Sequence, residues 1–412
     1  MPHRKKTLIF DNRVSNKSVI REITYIGSIL GHGDNMGLFG TTLVYLITNS
    51  FNGKVNLFVP MSDQAHGLLH IDYGPNVRIK STYNVDSIRS LLLSAYKIGK
   101  VKNSLTIFNF FPTSLGKGRL KNFIWGLVPI YLRLLRIRVL VIFHNSVSTS
   151  DWKALGYTKL TDRIGVLVFG RVERLIFKLT HSVFLLRTYK DMIYQKFGLN
   201  VSVAEFKYLD SIVAFLFSDY ANSKFIKIEH TRIIKTIHIH GHFGPQKDIE
   251  FALSVLNEMA NEGIKFRLLI TGSINPHFPG FKEKLDLLLK KHASIIDEVI
   301  IPIPETLIFD SFQKTDILLL PYKAAGGRSA VMDLGAFFDL NVVVFEHIEF
   351  AEQATWYKNI YLVKPQDLKR KLIYLLAQSN ERKVIDVDSK IRDSLNVMEN
   401  LLKAYIPNIP NI

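Results

Sequence analysis

Short apolar runs alternate with longer amphipathic segments along the first half of the chain. The runs are rich in β-branched and aromatic residues and carry no charge, as in strands buried on both faces of a sheet. They comprise residues 23–27, 55–59, 105–111 and 139–143. Helical spacing of apolar positions marks residues 38–46, 85–99 and 164–178. This alternation predicts a parallel sheet covered by helices on both faces.

The second half of the chain repeats the alternation more regularly. The predicted strands are residues 236–240, 266–271, 299–301, 316–320, 341–345 and 360–363. The predicted helices are residues 247–261, 281–291, 305–314, 329–338 and 366–377. We therefore predict an α/β protein with two doubly wound, Rossmann-like domains that face each other across a cleft.

We place the domain boundary between about residues 206 and 231, where the first alternating pattern has ended and the second begins. This divides the chain into an N-terminal domain, residues 1–222, and a C-terminal domain, residues 223–412. We expect a C-terminal helix to pack back on the first domain. In doubly wound sheets, ligands bind beyond the carboxyl ends of the strands. Two facing sheets would thus place a ligand in the cleft.

Composition excludes several classes of protein. The chain has 412 residues, 47% of them hydrophobic and 22% charged, so it can bury large cores and is not a disordered chain. It has no cysteine, which excludes disulfide frameworks, thiolate nucleophiles and iron–sulfur clusters. Its basic start is soon followed by Asp11 and Arg13, unlike a signal peptide. Residues 123–143 contain Pro129 and several arginines, unlike a transmembrane helix. We expect a cytoplasmic protein.

Positive charge is concentrated in the first half of the chain. Residues 1–225 hold 30 Lys and Arg against 13 Asp and Glu, which is the entire net charge of +17. Residues 117–136 mix cations with Trp, Tyr and Leu, a composition typical of helices that lie on a membrane surface. A basic solvated surface is the plain alternative. We expect an anionic membrane as partner, at the inner face of the cell membrane, and no nucleic acid, because no nucleic-acid-binding module surrounds the segment.

Two glycine-containing loops in the second domain could hold a diphosphate. In residues 241–247, Gly244 lets the backbone approach an anion, and Lys247 adds a charge in the first turn of the predicted helix. The later loop, Gly326-Gly327-Arg328-Ser329, lies between a strand and a helix that Ser329 caps. Either loop alone would be an ordinary connection. Only the two together on one sheet indicate an anion site.

Histidines supply the remaining candidate chemistry. His238 and His240 share a face of one strand and could chelate a metal, but no further ligand stands at a supporting spacing, so core histidines are the better interpretation. We expect no metal site. His144 ends a buried strand of the first domain, where it could orient a sugar hydroxyl or act as a base; a packing role is equally compatible.

The second half of the chain resembles a known family. Residues 241–247 resemble the Gly-Arg-x-x-Pro-x-Lys segment of family 4-like glycosyltransferases (glycosyl transferases group 1), which have the GT-B fold. Residues 268–272 follow at the family's interval, and residues 316–322 resemble its Ala-Asp-x-x-x-x-Pro-Ser/Tyr strand end. The resemblance covers residues 236–377, while the first domain matches only in outline.

The resemblance implies roles for individual residues. Lys247 would hold the donor diphosphate, Gly33 and Asp34 of the first-domain glycine loop would lie near it, and His144 would contact the transferred sugar. Two departures stand out. His242 occupies the place of the family's Arg, and the paired glutamates of the donor loop and helix are missing. Asp333 is the only nearby acid and is therefore the candidate catalytic residue in their place.

These inferences predict a glycosyltransferase that moves a sugar from a nucleotide diphosphate sugar to a lipid-linked or envelope glycan acceptor. The resemblance implies retention of configuration. We expect no cofactor and no metal, because Lys247, helix N–H groups and Arg328 can stabilise the leaving diphosphate. One alternative is a sugar-nucleotide epimerase on the same fold. Another is a catalytically degenerate GT-B scaffold that binds membrane or a polyanion.

Overall fold

The computed structural model describes residues 20–27, 35–60, 75–84, 86–101, 104–110, 119–216, 225–228, 234–378 and 383–406. The candidate donor-binding residues Gly33 and Asp34 lie outside these ranges, so their role stays a prediction. Among the described residues, no helix has the length and the apolar character needed to cross a bilayer.

The first domain is built on a seven-stranded parallel sheet of order β3-β2-β1-β4-β5-β6-β7. Its strands are β1 (Glu22–Ile26), β2 (Lys54–Pro60), β3 (Val77–Tyr83), β4 (Ser104–Phe110), β5 (Arg138–Phe143), β6 (His181–Phe184) and β7 (Ser202–Val203). Its helices are α1 (Asn35–Ser50), α2 (Ile88–Gly99), α3 (Arg119–Gly126), α4 (Val128–Leu134), α5 (Leu160–Leu179), α6 (Arg187–Phe197) and α7 (Leu209–Leu216). The strand order reverses at β1, which creates a switch point at the carboxyl ends of β1 and β4.

A two-stranded antiparallel sheet links the ends of the second half. It pairs β8 (Phe225–Ile228), in the connection between the domains, with β15 (Lys383–Asp386). The sequence pattern did not predict this sheet, because each strand has only four residues and gains its partner from a segment far along the chain.

The second domain contains a six-stranded parallel sheet of order β11-β10-β9-β12-β13-β14. Its strands are β9 (Thr236–Phe243), β10 (Arg267–Ile274), β11 (Glu298–Ile300), β12 (Ile317–Leu320), β13 (Asn341–Phe345) and β14 (Ile360–Val363). The helices are α8 (Ile249–Asn261), α9 (Phe281–Lys291), α10 (Glu305–Gln313), α11 (Ala330–Phe337), α12 (Ile348–Ala354), α13 (Leu368–Ala377) and α14 (Val387–Tyr405). The order reverses at β9, so both sheets confirm the predicted doubly wound topology.

Two helices join the cores of the domains. Leu209 and Ile212 of α7 are buried in the first core, whereas Phe215 at its end is buried in the second. Helix α14 packs against α1, with Met398 and Leu402 buried in the first core. Because each helix buries apolar side chains that would otherwise face water, both hold the domains together.

The start of helix α8 differs from the prediction. Strand β9 pairs with β10 as far as Phe243, so the strand runs through the residues predicted as a loop. The helix begins at Ile249, and the carboxylate of Asp248 caps its N-terminus. Lys247 therefore precedes the helix instead of lying in its first turn. The helix starts two residues later than predicted because Asp248 supplies the cap, its carboxylate accepting from the backbone N–H of Phe251.

Candidate functional site

A cavity of about 220 Å³ lies between the two domains. The first domain contributes the segment after β5, and the second contributes the loops after β9, β10 and β12 together with α12. Aromatic rings form much of the wall, together with amide and imidazole groups. The lining residues are Asn145, Trp152, Leu155, Tyr157, Gln246, Asn275, His277, Phe278, Tyr322, Ala324, Gly326, Gly327, Arg328, Ser329 and Phe350.

The loop from Gly326 to Ser329 closes against the end of β5. Gly327 has a φ of +133°, and a Cβ atom at this position would lie 3.0 Å from the carbonyl oxygen of His144. Asn145 donates its side-chain N–H to the carbonyl of Gly326 at 2.8 Å. The close approach explains why glycine is required here. Of the predicted donor-binding residues, Gly326, Gly327, Arg328 and Ser329 all line the cavity.

Ser329 caps helix α11 as predicted. Its hydroxyl accepts from the backbone N–H of Met332 at 3.2 Å. Gln353 of α12 binds the same residue twice, accepting from the Ser329 N–H and donating to its carbonyl, both at 2.9 Å. The helix start is thus fixed from two sides, and the positive end of the helix dipole points toward the cavity loop.

Arg328 and Asp333 form an ion pair whose side chains are 4% and 0% exposed. Gln353 and Tyr357 each donate to the Asp333 carboxylate at 2.6 Å. Asp333 is fully buried and does not line the cavity. Its carboxylate therefore positions Arg328, and its location does not favour the predicted catalytic role.

Lys247 is buried and is not among the residues that line the cavity. Its Nζ donates to the carbonyl of His240 and lies 5.3 Å and 5.1 Å from the ring centroids of Phe243 and Tyr322. Burial lowers the pKa of Lys247 from 10.5 to about 7. The amine is thus enclosed by groups of the second domain. Its catalytic and donor-binding role stays a prediction.

The surroundings of His242 favour its uncharged form. Its Nδ1 lies 2.7 Å from the hydroxyl of Ser273. Burial lowers the pKa of His242 to about 4, and the charge on Lys247 adds to the shift. The imidazole is therefore neutral near pH 7, unlike the Arg that this position holds in the resembling family. Of residues 241–247, Gln246 lines the cavity, whereas His242 and Gly244 do not.

His144 lies at the carboxyl end of β5, one residue before Asn145. Its Nε2 lies 2.8 Å from the amide oxygen of Asn109, and the amide N–H₂ of Asn109 donates to the hydroxyl of Tyr25 at 3.0 Å. Because an amide oxygen only accepts, Nε2 carries the proton. Burial lowers the pKa of His144 to about 3, helped by the charge of Arg328. The imidazole packs edge-on against the ring of Phe39, with ring centroids 3.8 Å apart, and is a fixed neutral group.

His238 and His240 lie in the core of the second domain. His238 lies 2.9 Å from the Thr315 hydroxyl through Nδ1 and 2.7 Å from the Thr271 hydroxyl through Nε2. His240 lies 2.7 Å from the same Thr271 hydroxyl. Both rings are thus held by threonines of neighbouring elements.

Glu173 of α5 holds the loop that carries the first-domain side of the site. Its fully buried carboxylate accepts from the backbone N–H of Val147 and Ser148 at 2.8 and 2.9 Å, and from the hydroxyls of Ser146 and Ser148 at 3.0 and 2.6 Å. Burial raises the pKa of Glu173, and these hydrogen bonds oppose the rise. Sequence reasoning missed this residue, although an acid within the apolar spacing of a helix was the available signal.

Glu352 of α12 makes a second contact across the cleft. Its carboxylate accepts from the backbone N–H groups of Arg187 and Thr188 at 2.5 and 2.6 Å, and from the Thr188 hydroxyl at 2.6 Å. Arg187 is the first residue of α6, so an acid from the second domain caps a helix of the first. Together with the Asn145–Gly326 hydrogen bond, this contact joins the two domains by polar groups.

The aromatic and polar cavity wall was also missed. Trp152, Tyr157, His277 and Phe278 come from two loops that follow strands β5 and β10, and Tyr157 packs edge-on to Phe278 with ring centroids 5.6 Å apart. The available signal was aromatic residues placed shortly after strand ends.

Comparison with known proteins finds likeness in structure alone. No protein-family model matches the sequence, and no curated protein matches it. Among solved structures, the HepE protein of Anabaena in complex with UDP-glucose is 9% identical, covers 93% of this chain and 95% of its own, and has a TM-score of 0.57. A glycosyltransferase from Rickettsia africae is 13% identical, with 94% and 99% covered and a TM-score of 0.58.

A Listeria monocytogenes protein assigned as a UDP-N-acetylglucosamine 2-epimerase is 10% identical, with 95% and 98% covered and a TM-score of 0.56. At such identities the likeness shows the fold. Two facing parallel-sheet α/β domains, matched over nearly the whole length of these proteins, give this chain the GT-B fold.

Proposed function

We propose that this protein is a glycosyltransferase, a hexosyltransferase that moves a sugar from a nucleotide diphosphate sugar to a lipid-linked or envelope glycan acceptor. The observation that carries the proposal is the cavity loop, in which Arg328 and the Ser329-capped start of α11 meet the end of β5. A helix N-terminus beside a guanidinium suits a diphosphate. Several solved structures with the same fold are glycosyltransferases, and one holds UDP-glucose.

Each part of the cavity would take one part of the donor. The rings of Trp152, Tyr157 and Phe278 offer flat surfaces for a base, while the amides of Gln246 and Asn275 offer hydrogen bonds to it. The diphosphate would lie against Arg328 and the α11 N–H groups. The sugar would then extend toward Asn145 and His144 at the end of β5.

In the proposed reaction, the chief role of these residues is to stabilise the leaving diphosphate. Arg328 and the helix N–H groups are oriented before the reaction by Asp333 and Gln353, so they need little rearrangement as charge develops on the leaving oxygen. His144, neutral with its proton on Nε2, would act as a hydrogen-bonding group for the sugar. We propose transfer without a metal or other cofactor, and with retention of configuration as the family resemblance implies.

The epimerase is the second candidate, because an epimerase-assigned protein shares the fold. It would use the same donor site without an acceptor. A degenerate scaffold that binds membrane or a polyanion is the third, supported by the missing paired glutamates.

Calorimetry with UDP-, GDP- and dTDP-linked sugars would test the donor site, followed by product analysis with and without a lipid-linked acceptor. Transfer only with acceptor supports the glycosyltransferase, a new nucleotide sugar without acceptor supports the epimerase, and no binding of any donor overturns both.

Arg328→Gln combined with Asp333→Asn tests the residue assignment without leaving a buried carboxylate unpaired. We expect donor affinity to fall by about 1.5–3 kcal/mol, the range for a hydrogen bond to a charged group. The control Arg370→Gln removes an arginine that is 84% exposed on α13 of the same domain and should leave affinity unchanged. Equal affinity in the folded double variant would contradict the placement of the diphosphate.

A further inference from the structure

The outward face of α5 carries an exposed apolar stripe. Leu160, Ile164, Leu167 and Val168 are 72%, 53%, 70% and 43% exposed. Their spacing of four, three and one residues puts them on one side of the helix. The side chains that α5 buries in the first domain lie on the opposite side and include Phe169, Val172 and Ile176. The stripe therefore points directly away from the domain core, where a helix normally presents polar residues.

Exposed cations continue this outward face toward the end of the helix. Arg163, Arg171, Arg174 and Lys178 are all exposed. Of the two acids in α5, Glu173 is fully buried, and Asp162 accepts from the N-cap backbone of its own helix at 3.0 Å. The charge that α5 presents to an approaching partner is thus positive.

The neighbouring helices extend the same character. Helices α3 and α4 contact α5, and α2 contacts both of them. Leu120 is 62% exposed on α3, Leu134 is 73% exposed at the end of α4, and Tyr96 is 52% exposed on α2. From residue 86 to residue 179 the sequence has 16 Lys and Arg against 4 Asp and Glu. The face therefore combines exposed large apolar side chains with a strong local excess of cations.

We propose that this α5 face docks the first domain on an anionic lipid bilayer, with Leu160, Ile164 and Leu167 inserted among the acyl chains and the cations at the headgroups. Apolar side chains flanked by cations match a surface that is negative outside and apolar beneath. A second copy of this chain fits poorly, because a symmetric dimer would press two equally positive faces together. The proposal rests on no property of the cleft and is independent of the proposed enzymatic activity.

The proposed membrane contact lies on α5 and not on residues 117–136, the segment that the sequence indicated. Lys121 is paired with Asp86 at 3.4 Å, and Arg133 donates to the carbonyl of Leu179 at 3.0 Å. Both cations hold helices to their neighbours and have less freedom to meet a headgroup. The cations of α5 have no such carbonyl or carboxylate partner among the hydrogen bonds and ion pairs of the described residues.

Sedimentation with vesicles tests the proposal on the full chain. We expect binding to vesicles that mix phosphatidylglycerol with phosphatidylcholine, little binding to phosphatidylcholine alone, and a fall with added salt. Leu160→Ser with Leu167→Ser should weaken binding at least tenfold. Leu287→Ser is the matched control, since this leucine is 69% exposed on α9 of the second domain, and it should bind like the unchanged protein.

Charge is tested separately. Arg171→Gln, Arg174→Gln and Lys178→Gln together should weaken binding by about fivefold for each cation removed. The control triple on α9, Lys282→Gln with Lys290→Gln and Lys291→Gln, removes three exposed cations from the other domain and should have little effect. Equal losses in the two triples would overturn the assignment to α5.

Insertion of the α5 side chains into the bilayer can be measured separately, by tryptophan fluorescence. Tryptophan placed by Leu167→Trp should shift its emission to shorter wavelength on anionic vesicles, whereas tryptophan placed by Leu287→Trp should not. Vesicle binding without that shift would overturn insertion. Absence of binding at any lipid composition, concentration-dependent dimerisation abolished by Leu167→Ser, or stripe-dependent binding to an acidic protein in place of vesicles would each overturn the membrane assignment.

Discussion

Asn145 of the first domain donates to the carbonyl of Gly326 in the second at 2.8 Å. The same loop brings Gly327 so near to β5 that a Cβ atom would lie 3.0 Å from the His144 carbonyl. One hydrogen bond and one close backbone approach thus set the separation of the domains at the cavity. Residues that hold either side of this contact should therefore affect donor binding without touching the donor.

Gly327→Ala should strain the cavity loop. The φ of +133° disfavours any side chain, and the new methyl group would press on the His144 carbonyl. We expect a loss of about 1–3 kcal/mol in the free energy of unfolding, measured by chemical denaturation, together with weaker donor binding. Gly165→Ala in α5 is the control, because no atom of the residues that the structure describes lies within 4 Å of its added Cβ. That change should be neutral or stabilise by up to about 1 kcal/mol. Equal effects of the two changes would contradict the close approach.

Lys247 should make stability depend on pH. The unfolded chain keeps a proton on this amine up to about pH 10.5, whereas the folded protein releases it near pH 7. Between these values the unfolded state binds more protons, so the free energy of unfolding should rise with pH, by at most about 1.4 kcal/mol per pH unit from this group.

Lys247→Met should remove that part of the slope in denaturation measured from pH 7 to 9, while Lys282→Met on the exposed face of α9 should retain it. An unchanged slope in Lys247→Met would show that the amine keeps its ordinary pKa and reaches water.

Glu173→Gln should loosen the loop after β5. The amide keeps one accepting oxygen but turns an N–H₂ group toward N–H and O–H donors that the carboxylate now accepts from. We expect unfolding to become easier by about 1–3 kcal/mol and donor affinity to fall, because His144 and Asn145 lead into this loop. Glu399→Gln is the control, because this acid is partly exposed on α14 and pairs only with Lys403 of the same helix among the ion pairs of the described residues. If Glu173→Gln bound the donor as tightly as the unchanged protein, the loop after β5 would have no influence on the donor site.

Glu352→Gln should weaken the contact between the domains. A neutral amide cannot satisfy the start of α6 as a carboxylate does, so we expect a more open average separation, read as a larger radius of gyration in small-angle scattering. Glu262→Gln removes an acid that pairs with Lys369 within the second domain and should leave the radius unchanged. Saturating donor should restore compactness in Glu352→Gln, provided the donor binds both walls of the cavity. An unaltered radius without donor would mean that other contacts hold the cleft.

The sequence by itself determined the two doubly wound sheets and the cap of α11. Buried parallel strands require uninterrupted apolar runs, and covering helices require an apolar side, so the local pattern carries this information without reference to distant residues. The cap at Ser329 is equally local, since the hydroxyl and the N–H that it accepts from are three residues apart.

Only the tertiary structure decided which candidates meet in the cavity. Lys247 and Arg328 are both cations beside glycine loops, yet Lys247 is buried and donates to the carbonyl of His240, whereas Arg328 lines the cavity and pairs with Asp333. Helix α5 carries both Glu173 and the exposed apolar stripe, and its sequence pattern does not indicate which side faces the sheet. Packing against the rest of the first domain decides that. Burial, pKa and partnership depend on atoms brought together from far along the chain, and no local spacing encodes them.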